Sequence, residues 1–334
     1  FFILESFEFK NFFRRNIKFL LLLLFLYLLF TYSFWPYLWA DPISNFFTSF
    51  KSFKNYGHDL SIFYLGDYVN SLYLPWHYTI VWIAVSTPII YSLLLLFGTF
   101  TISYKFFKNF LKISSDNFQQ KIWNNYNEKF DFFIFMFFLG PLIAVIFFGS
   151  TLYNGWRHLY FIYPSLIYIL IFSLNYILQS LNNKKFVNTF FLIIFFSIFI
   201  NIFNLIKLHP YQNIYFNSLV EKKANSLFEI DYWGSANAHA ISKILDEINK
   251  SEKISIRTGS FTPLKYSKYI INNEKLKNIT FSGTAELNQD YFFTNYIYEK
   301  NPKFMKKYLI SENYEKFFTL KRGNIIINEI YKKK

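Results

Sequence analysis

An arginine and a histidine stand side by side in the stretch "NGWRHLYFIYP", at the start of a long apolar run. Placing a cation in hydrocarbon costs roughly 2.5–3.5 kcal/mol on insertion scales, so a cation at a membrane edge is worth explaining. The planar fork of Arg157 suits the oxygens of a phosphate, and His158 can donate a hydrogen bond beside it. We therefore expect this pair to bind the phosphate of a lipid-linked substrate. The alternatives are an arginine that reaches to lipid headgroups and a histidine that only packs.

Further polar residues fall in segments that we expect on the same side of the membrane. The stronger candidates for substrate or phosphate contact are His77, His209 and Tyr211, and the weaker ones are Asp41, Asp67 and Asp231. Each also has a structural interpretation, because the aspartates can cap a helix, lie in solvent or form a turn, and His209 can simply end a helix. The histidines lack the spacing of a metal site, and no glycine-rich phosphate loop occurs. We predict no resident metal, with a divalent cation left as an alternative.

The composition indicates a membrane protein. The chain has 334 residues, of which 53% are hydrophobic and 24% aromatic, and it has no cysteine, which excludes disulfides and thiolate metal sites. The net charge of +14 is compatible with nucleic acid, but the basic residues cluster beside apolar runs. That pattern is typical of membrane topology, so we expect membrane lipids and no nucleic acid as partners. Because the chain begins with Phe-Phe and not with Met, we expect an N-terminally truncated sequence.

Five apolar stretches are long enough to cross a bilayer, which takes about 20 residues. They are residues 17–35, 78–102, 130–152, 159–178 and 186–208. We therefore predict a polytopic α-helical membrane domain over residues 1–208, with an interfacial outer loop at 36–77. Residues 209–334 are predicted to form a small extracytoplasmic α/β domain.

Lysine and arginine in the short loops predict the orientation. They are concentrated before the first stretch, between the second and third, and after the fourth, which places those loops in the cytoplasm. Arg157, His158 and everything after residue 208 are then outside. In the outer loop, Asp41 and Pro42 predict the start of an amphipathic helix that lies in the membrane interface.

The tail shows mixed helix and strand patterns. Ser235 is the predicted cap of a helix over Ala238, Ile241, Leu245 and Ile248. Strands are predicted at "KISIR", "NITFSG" and "YFFTNYIY", and a hairpin at "KFFTLKRGNIIINEIY" with its turn at Arg322–Gly323.

Five motifs occur in order along the chain: "FWPYLWADPISNF", "YLPWHYTIVWIAVSTPIIYSLLLLFG", "YNGWRHLYFIYPSL", "LHPYQNIYFNSLV" and "DYWGSA". Together they resemble bacterial membrane glycosyltransferases related to family 39, the protein O-mannosyltransferase and aminoarabinose-transferase group of the GT-C superfamily. The resemblance covers most of residues 30–240. It departs from the family at Asn154, where Asp is common, and at Ala40-Asp41, where Glu-Asn is common.

The resemblance implies a multi-span enzyme of the bacterial inner membrane. Such enzymes move a sugar from a polyprenyl-phosphate carrier to a lipid, glycan or protein acceptor on the extracytoplasmic face. Their catalytic carboxylate lies in the first outer loop, which we expect upstream of Phe1, so that this fragment alone is expected to be inactive. Arg157 and His158 would stabilise the departing phosphate. A non-catalytic membrane scaffold and a transporter of lipid-linked intermediates remain the alternatives.

Overall fold

The structure is a computed structural model that describes residues 6–54, 59–111, 123–249, 251–260, 262–283, 288–297 and 310–334. The chain divides into two compact units, Phe1–Gly57 and His58–Lys334. Within the described residues, five helices are long and apolar enough to cross a membrane. They are Asn16–Phe34, Ile89–Phe110, Tyr126–Phe147, Arg157–Ser180 and Lys184–Leu208. The chain is thus a membrane-associated, mainly helical protein with a small sheet region.

The first unit consists of two helices, α1 (Ser6–Phe34) and α2 (Pro42–Lys54), separated by a short 3-10 turn. The carboxylate of Asp41 accepts a hydrogen bond of 3.1 Å from the backbone N–H of Ser44, which confirms the predicted start of α2. Ile43 and Phe47 leave most of their side-chain surface exposed. An exposed apolar surface of this kind suits a lipid environment.

The second unit begins with a β-hairpin of two short strands, β1 (Ser61–Tyr64) and β2 (Asp67–Asn70), inside the predicted outer loop. Its turn residues, Leu65 and Gly66, have φ angles of 53° and 91°. Two left-handed residues are typical of tight hairpin turns, but leucine is rare at such a position. The hairpin therefore lacks the usual turn signal in its residue types.

The predicted span 78–102 is wrong as a single helix. α3 (Tyr78–Ser86) ends before Thr87, which has an extended backbone, and α4 (Ile89–Phe110) starts after Pro88. Proline disfavours the helical conformation of the preceding residue and has no N–H for the carbonyl four positions earlier. The chain therefore breaks at Pro88, and α4 is the long helix of the pair.

Asn217 supplies the hydrogen bonds that the break removes. Its side-chain amide donates to the carbonyl of Ala84, at 2.7 Å, and to that of Thr87, at 3.0 Å. Its backbone N–H donates to the carbonyl of Val85. Ala84 is the residue whose carbonyl Pro88 would have paired in a continuous helix, so one side chain of the tail compensates for the proline.

We expect Asn217→Ala to destabilise the protein by about 1–3 kcal/mol, because it removes the donor to the carbonyl of the buried residue Thr87 and the donor to the carbonyl of Ala84. The measurement is thermal unfolding in detergent, with the exposed neighbour variant Ser218→Ala as control. An Asn217→Ala protein as stable as the control would show that these bonds contribute nothing.

The predicted span 130–152 extends too far, because α5 (Tyr126–Phe147) ends five residues earlier. Gly149 adopts a left-handed conformation, with a φ of 57°, and the N–H groups of Gly149 and Ser150 donate back to the carbonyls of Ile146 and Val145. This pairing is a Schellman motif, which ends a helix at glycine.

α6 (Tyr163–Ser180) follows a 3-10 turn, Arg157–Ile162, and α7 (Lys184–Leu208) completes the long helices. α4, α5 and α6 pack against one another. Gly98 allows the close approach of α4 and α6, since a Cβ there would lie 2.6 Å from the side chain of Ile169.

The tail has a one-turn helix, α8 (Ala224–Leu227), and a longer helix, α9 (Asn237–Glu247), on a five-stranded sheet. The strands are β3 (Ile254–Gly259), β4 (Ile279–Ser282), β5 (Tyr291–Thr294), β6 (Tyr314–Arg322) and β7 (Ile325–Lys333). Their order is β4-β3-β5-β7-β6, with β3 parallel to β4 and β5 and the other pairs antiparallel. The predicted helix is confirmed and a strand occurs at each predicted place, but β5 covers only the first four residues of "YFFTNYIY" and the hairpin turns one residue later, at Gly323–Asn324.

The segment between α7 and α9 shares a hydrophobic core with the helices. Phe216 and Phe228 lie in one buried cluster with Tyr64 of the hairpin, Trp82 of α3 and Trp156. This contact brings the motif "FEIDYWG" of the tail against the loop that carries Arg157.

Candidate functional site

The loop before α6 is held rigidly against the end of α3. Asn154 and Gly155 both have left-handed backbones, with φ angles of 56° and 73°. The chain then turns inward at Trp156, whose indole N–H donates to the hydroxyl of Ser86 at 3.0 Å. That hydroxyl in turn donates to the carbonyl of Trp82. The position of Arg157, the next residue, is therefore set by buried contacts.

The guanidinium of Arg157 contacts two aromatic rings. Its central carbon is 4.6 Å from the ring centre of Tyr153 and 4.7 Å from that of Trp233 in the tail. A cation–π contact orients the guanidinium without using the hydrogen-bonding groups of another residue, and the guanidinium has five N–H donors. Within the described part of the chain, the guanidinium of Arg157 forms neither a hydrogen bond nor an ion pair, so its N–H donors are available to a ligand.

His158 is exposed beside Arg157. Its ring meets that of Tyr153 edge-on, with 4.7 Å between centres. Tyr153 thus contacts the side chains of both Arg157 and His158.

Glu229 is a buried carboxyl close to Arg157 that we did not predict as a site residue. Its backbone N–H donates to Phe63 of the hairpin, and the side chain accepts a hydrogen bond from the backbone N–H of Asn154. Burial raises the pKa of Glu229 to about 8, against the opposing effects of Arg157 and the Asn154 N–H. The side chain is therefore largely protonated and uncharged at neutral pH.

This carboxyl predicts a pH-dependent stability. The folded protein keeps the proton up to about pH 8, whereas the unfolded chain releases it near the ordinary pKa of 4.5. Raising the pH between these values therefore favours unfolding, by roughly 1 kcal/mol per pH unit. Relative to Glu229→Gln, which cannot ionise, the wild-type melting temperature should fall across this window. Parallel pH profiles of the two proteins would contradict the raised pKa.

Tyr232 lies between Glu229 and the aromatic residues around Arg157. Burial raises the pKa of its hydroxyl, which therefore stays neutral and can donate and accept hydrogen bonds. Its ring packs on that of Trp233, with 5.7 Å between centres.

Asp231 has a structural role. It is fully buried, and its carboxylate accepts hydrogen bonds of 2.8–2.9 Å from the N–H and hydroxyl of Ser235 and from the N–H of Ala236. The prediction that Ser235 caps α9 is therefore wrong, because its hydroxyl donates to Asp231. The carboxylate fixes the turn that carries Tyr232 and Trp233 and leads into α9, whose N-cap residue, Ala236, has no side-chain cap.

The other predicted residues lie elsewhere. The Nδ1 of His77 is 2.7 Å from the hydroxyl of Tyr64. Asp67 is exposed at the start of β2, and Asp41 caps α2 in the first unit.

His209 and Tyr211 lie where α7 meets the tail hairpin. Arg322 donates to the carbonyl of His209 and covers the ring of Tyr211, whose hydroxyl is 2.9 Å from the Nδ1 of His239. These contacts explain both residues as part of the packing between α7 and the sheet.

Glu229, Tyr232 and Trp233 are the additional members of the site. The sequence offered one signal for these residues. Glu229 stands between the apolar residues Phe228 and Ile230, and a second acidic residue, Asp231, follows. An ionisable residue in an apolar run is costly unless it has a purpose.

No cluster of three or more histidine, aspartate or glutamate side chains occurs within the described ranges, so they offer no ready-made metal site. Comparison of the chain with protein-family models, with curated proteins and with solved structures finds no match in any of the three.

Proposed function

We propose that the chain belongs to a membrane glycosyltransferase that takes a sugar from a polyprenyl-phosphate carrier. The observation that carries the proposal is Arg157, whose guanidinium lies over the rings of Tyr153 and Trp233 while its N–H groups make no hydrogen bond in the described structure. A stacked guanidinium is oriented before a ligand arrives, so little entropy is lost when it binds a phosphate.

The location of Arg157 favours a lipid-linked phosphate. The residue opens the candidate span Arg157–Ser180, where the headgroup of a membrane lipid would lie while its chain extends along the helices. We place this end of the span, and the tail that contacts it, on the extracytoplasmic face of a bacterial inner membrane, on the strength of the basic residues in the opposite loops.

In this mechanism, an acceptor hydroxyl attacks the anomeric carbon of the sugar and forms the new glycosidic bond. The bond between that carbon and the carrier phosphate breaks, and the departing phosphate takes up the negative charge. Arg157 stabilises that charge, with His158 as a second donor. A general base accepts the proton of the acceptor hydroxyl, and none of the described residues is assigned to that role.

The test is a transfer assay with the full-length protein in proteoliposomes that contain a polyprenyl phosphate carrying a labelled sugar. The proposal predicts release of the label to an added acceptor or to water. If the label stays on the carrier but the lipid crosses the bilayer, the protein is a transporter. If neither happens with any sugar tried, a scaffolding role replaces the enzyme.

A further inference from the structure

Four basic residues lie where α7 ends, next to the turn between β6 and β7. We call them the basic surface: Lys207, Lys222, Lys223 and Arg322. The carboxylate of Glu221, the residue before Lys222, is 4.0 Å from the Nζ of Lys207. It also accepts hydrogen bonds from Asn324 of the hairpin turn, 3.0 Å from the backbone N–H and 3.2 Å from the side-chain amide. Arg322 contacts the end of α7 directly, because its Nε donates to the carbonyl of His209 at 3.4 Å.

This end of α7 lies at the level of the lipid headgroups. The helix has 25 residues, and its apolar window has no residue buried inside the described protein. At 1.5 Å per residue it is about 37 Å long, which exceeds the roughly 30 Å hydrocarbon core of a bilayer. Lys207, in the last turn of α7, and the hairpin turn beside it therefore lie in the headgroup layer.

The basic surface carries an excess of positive charge and an exposed apolar neighbour. Among the described residues, Glu221 is the one acidic side chain that pairs with any of the four cations. Lys222 and Lys223 are exposed, and Leu219, in the turn before them, leaves 76% of its surface exposed. Basic and apolar side chains placed together in this way are typical of segments that lie on an anionic membrane, where the cations meet headgroup phosphates and the apolar group enters the acyl boundary.

We propose that the basic surface binds the phosphate groups of anionic phospholipids and holds the tail against the membrane. A lipid fits this surface better than a soluble acidic partner, because the cations lie in the plane where anionic headgroups concentrate negative charge. Lysine and arginine both bind phosphate oxygens through charge-assisted hydrogen bonds. The inference needs only that α7 spans the membrane, so it is independent of sugar transfer and of the phosphate site at Arg157.

The test places a fluorophore beside the basic surface of the chain in phosphatidylcholine nanodiscs. The chain has no cysteine, so Ser218→Cys, at an exposed position next to Leu219, gives a single labelling site. Quenching is compared between small, equal fractions of phosphatidylglycerol and phosphatidylcholine that carry a spin label near the headgroup. We expect phosphatidylglycerol to associate with the labelled surface at least about tenfold more strongly, since each basic residue near an anionic membrane contributes roughly a fivefold factor.

Lys222→Gln/Lys223→Gln should lower this preference about fivefold or more, and the addition of Lys207→Gln should remove it. The matched control is Lys184→Gln/Lys185→Gln, which removes two positive charges at the opposite end of α7 and should leave the preference unchanged.

Equal quenching by the two lipids would overturn the inference and leave the basic surface to a soluble acidic partner. The inference is also overturned if the triple variant keeps the preference or if the control variant loses it. A preference that disappears in Arg157→Ala would assign the anionic lipid to Arg157 and not to the basic surface.

Discussion

Arg157→Ala is expected to reduce sugar transfer by the full-length protein about a hundredfold or more. Removing one preorganised donor to a developing negative charge commonly lowers the rate by roughly 10²–10³, and Arg157 offers several donors at once. Membrane insertion should be unaffected, because the loop is anchored by Trp156 and Ser86 and not by the guanidinium.

The variant Arg157→Lys tests whether the positive charge alone supports sugar transfer or whether the planar guanidinium is also needed. Lysine keeps the positive charge but cannot present a planar fork or stack between Tyr153 and Trp233 in the same way. We expect it to restore only part of the rate, leaving a loss of about tenfold. Lys243→Ala is the matched control, since Lys243 is an exposed cation on α9. Transfer by Arg157→Ala at the rate of this control would rule out the assigned role.

Asp231→Ala is expected to cause the largest loss of stability among single changes near the site, at least about 3 kcal/mol. The substitution removes a buried carboxylate that accepts three hydrogen bonds, and bonds to a charged group contribute roughly 1.5–3 kcal/mol each. It also leaves the N–H groups of Ser235 and Ala236 buried without an acceptor.

Asp231→Asn should destabilise less than Asp231→Ala. Its amide oxygen can still accept both hydrogen bonds from Ser235, but its NH₂ group would face the N–H of Ala236. The measurement is unfolding in detergent, with Asp246→Ala as control because that carboxylate is exposed on α9. Equal stability of Asp231→Ala and the control would show that the turn does not depend on the carboxylate.

The long helices could be predicted from the sequence because an apolar run of about 20 residues rarely occurs outside a membrane span. The break at Pro88 could also have been predicted, since proline restricts the residue before it. The end of α5 depends on Gly149, which local pattern alone does not separate from a glycine inside a span.

The site was only half predictable. Arg157 and His158 are adjacent in the chain and stand at the start of an apolar run, so their placement follows from local sequence. Glu229 is brought to them by contacts with Phe63 and Asn154, which are more than 70 residues away. The burial of Glu229 depends on tertiary packing, which the local sequence pattern does not predict.

Two further features could not be predicted from the sequence, the hairpin β1–β2 and the strand order of the sheet. The turn at Leu65–Gly66 uses a residue that rarely adopts a positive φ, and Tyr64 is fixed by pairing with Phe228 of the tail. The order β4-β3-β5-β7-β6 mixes parallel and antiparallel neighbours, which strand patterns do not specify.

The most direct test of a phosphate site at Arg157 is a binding comparison between two lipids and two proteins. The affinities of polyprenyl phosphate and of the uncharged polyprenol are measured for wild-type and Arg157→Ala protein in nanodiscs. We predict that wild-type protein prefers the phosphate by at least about tenfold, as expected for charge-assisted hydrogen bonds, and that the variant loses this preference. The same preference in both proteins would contradict the site.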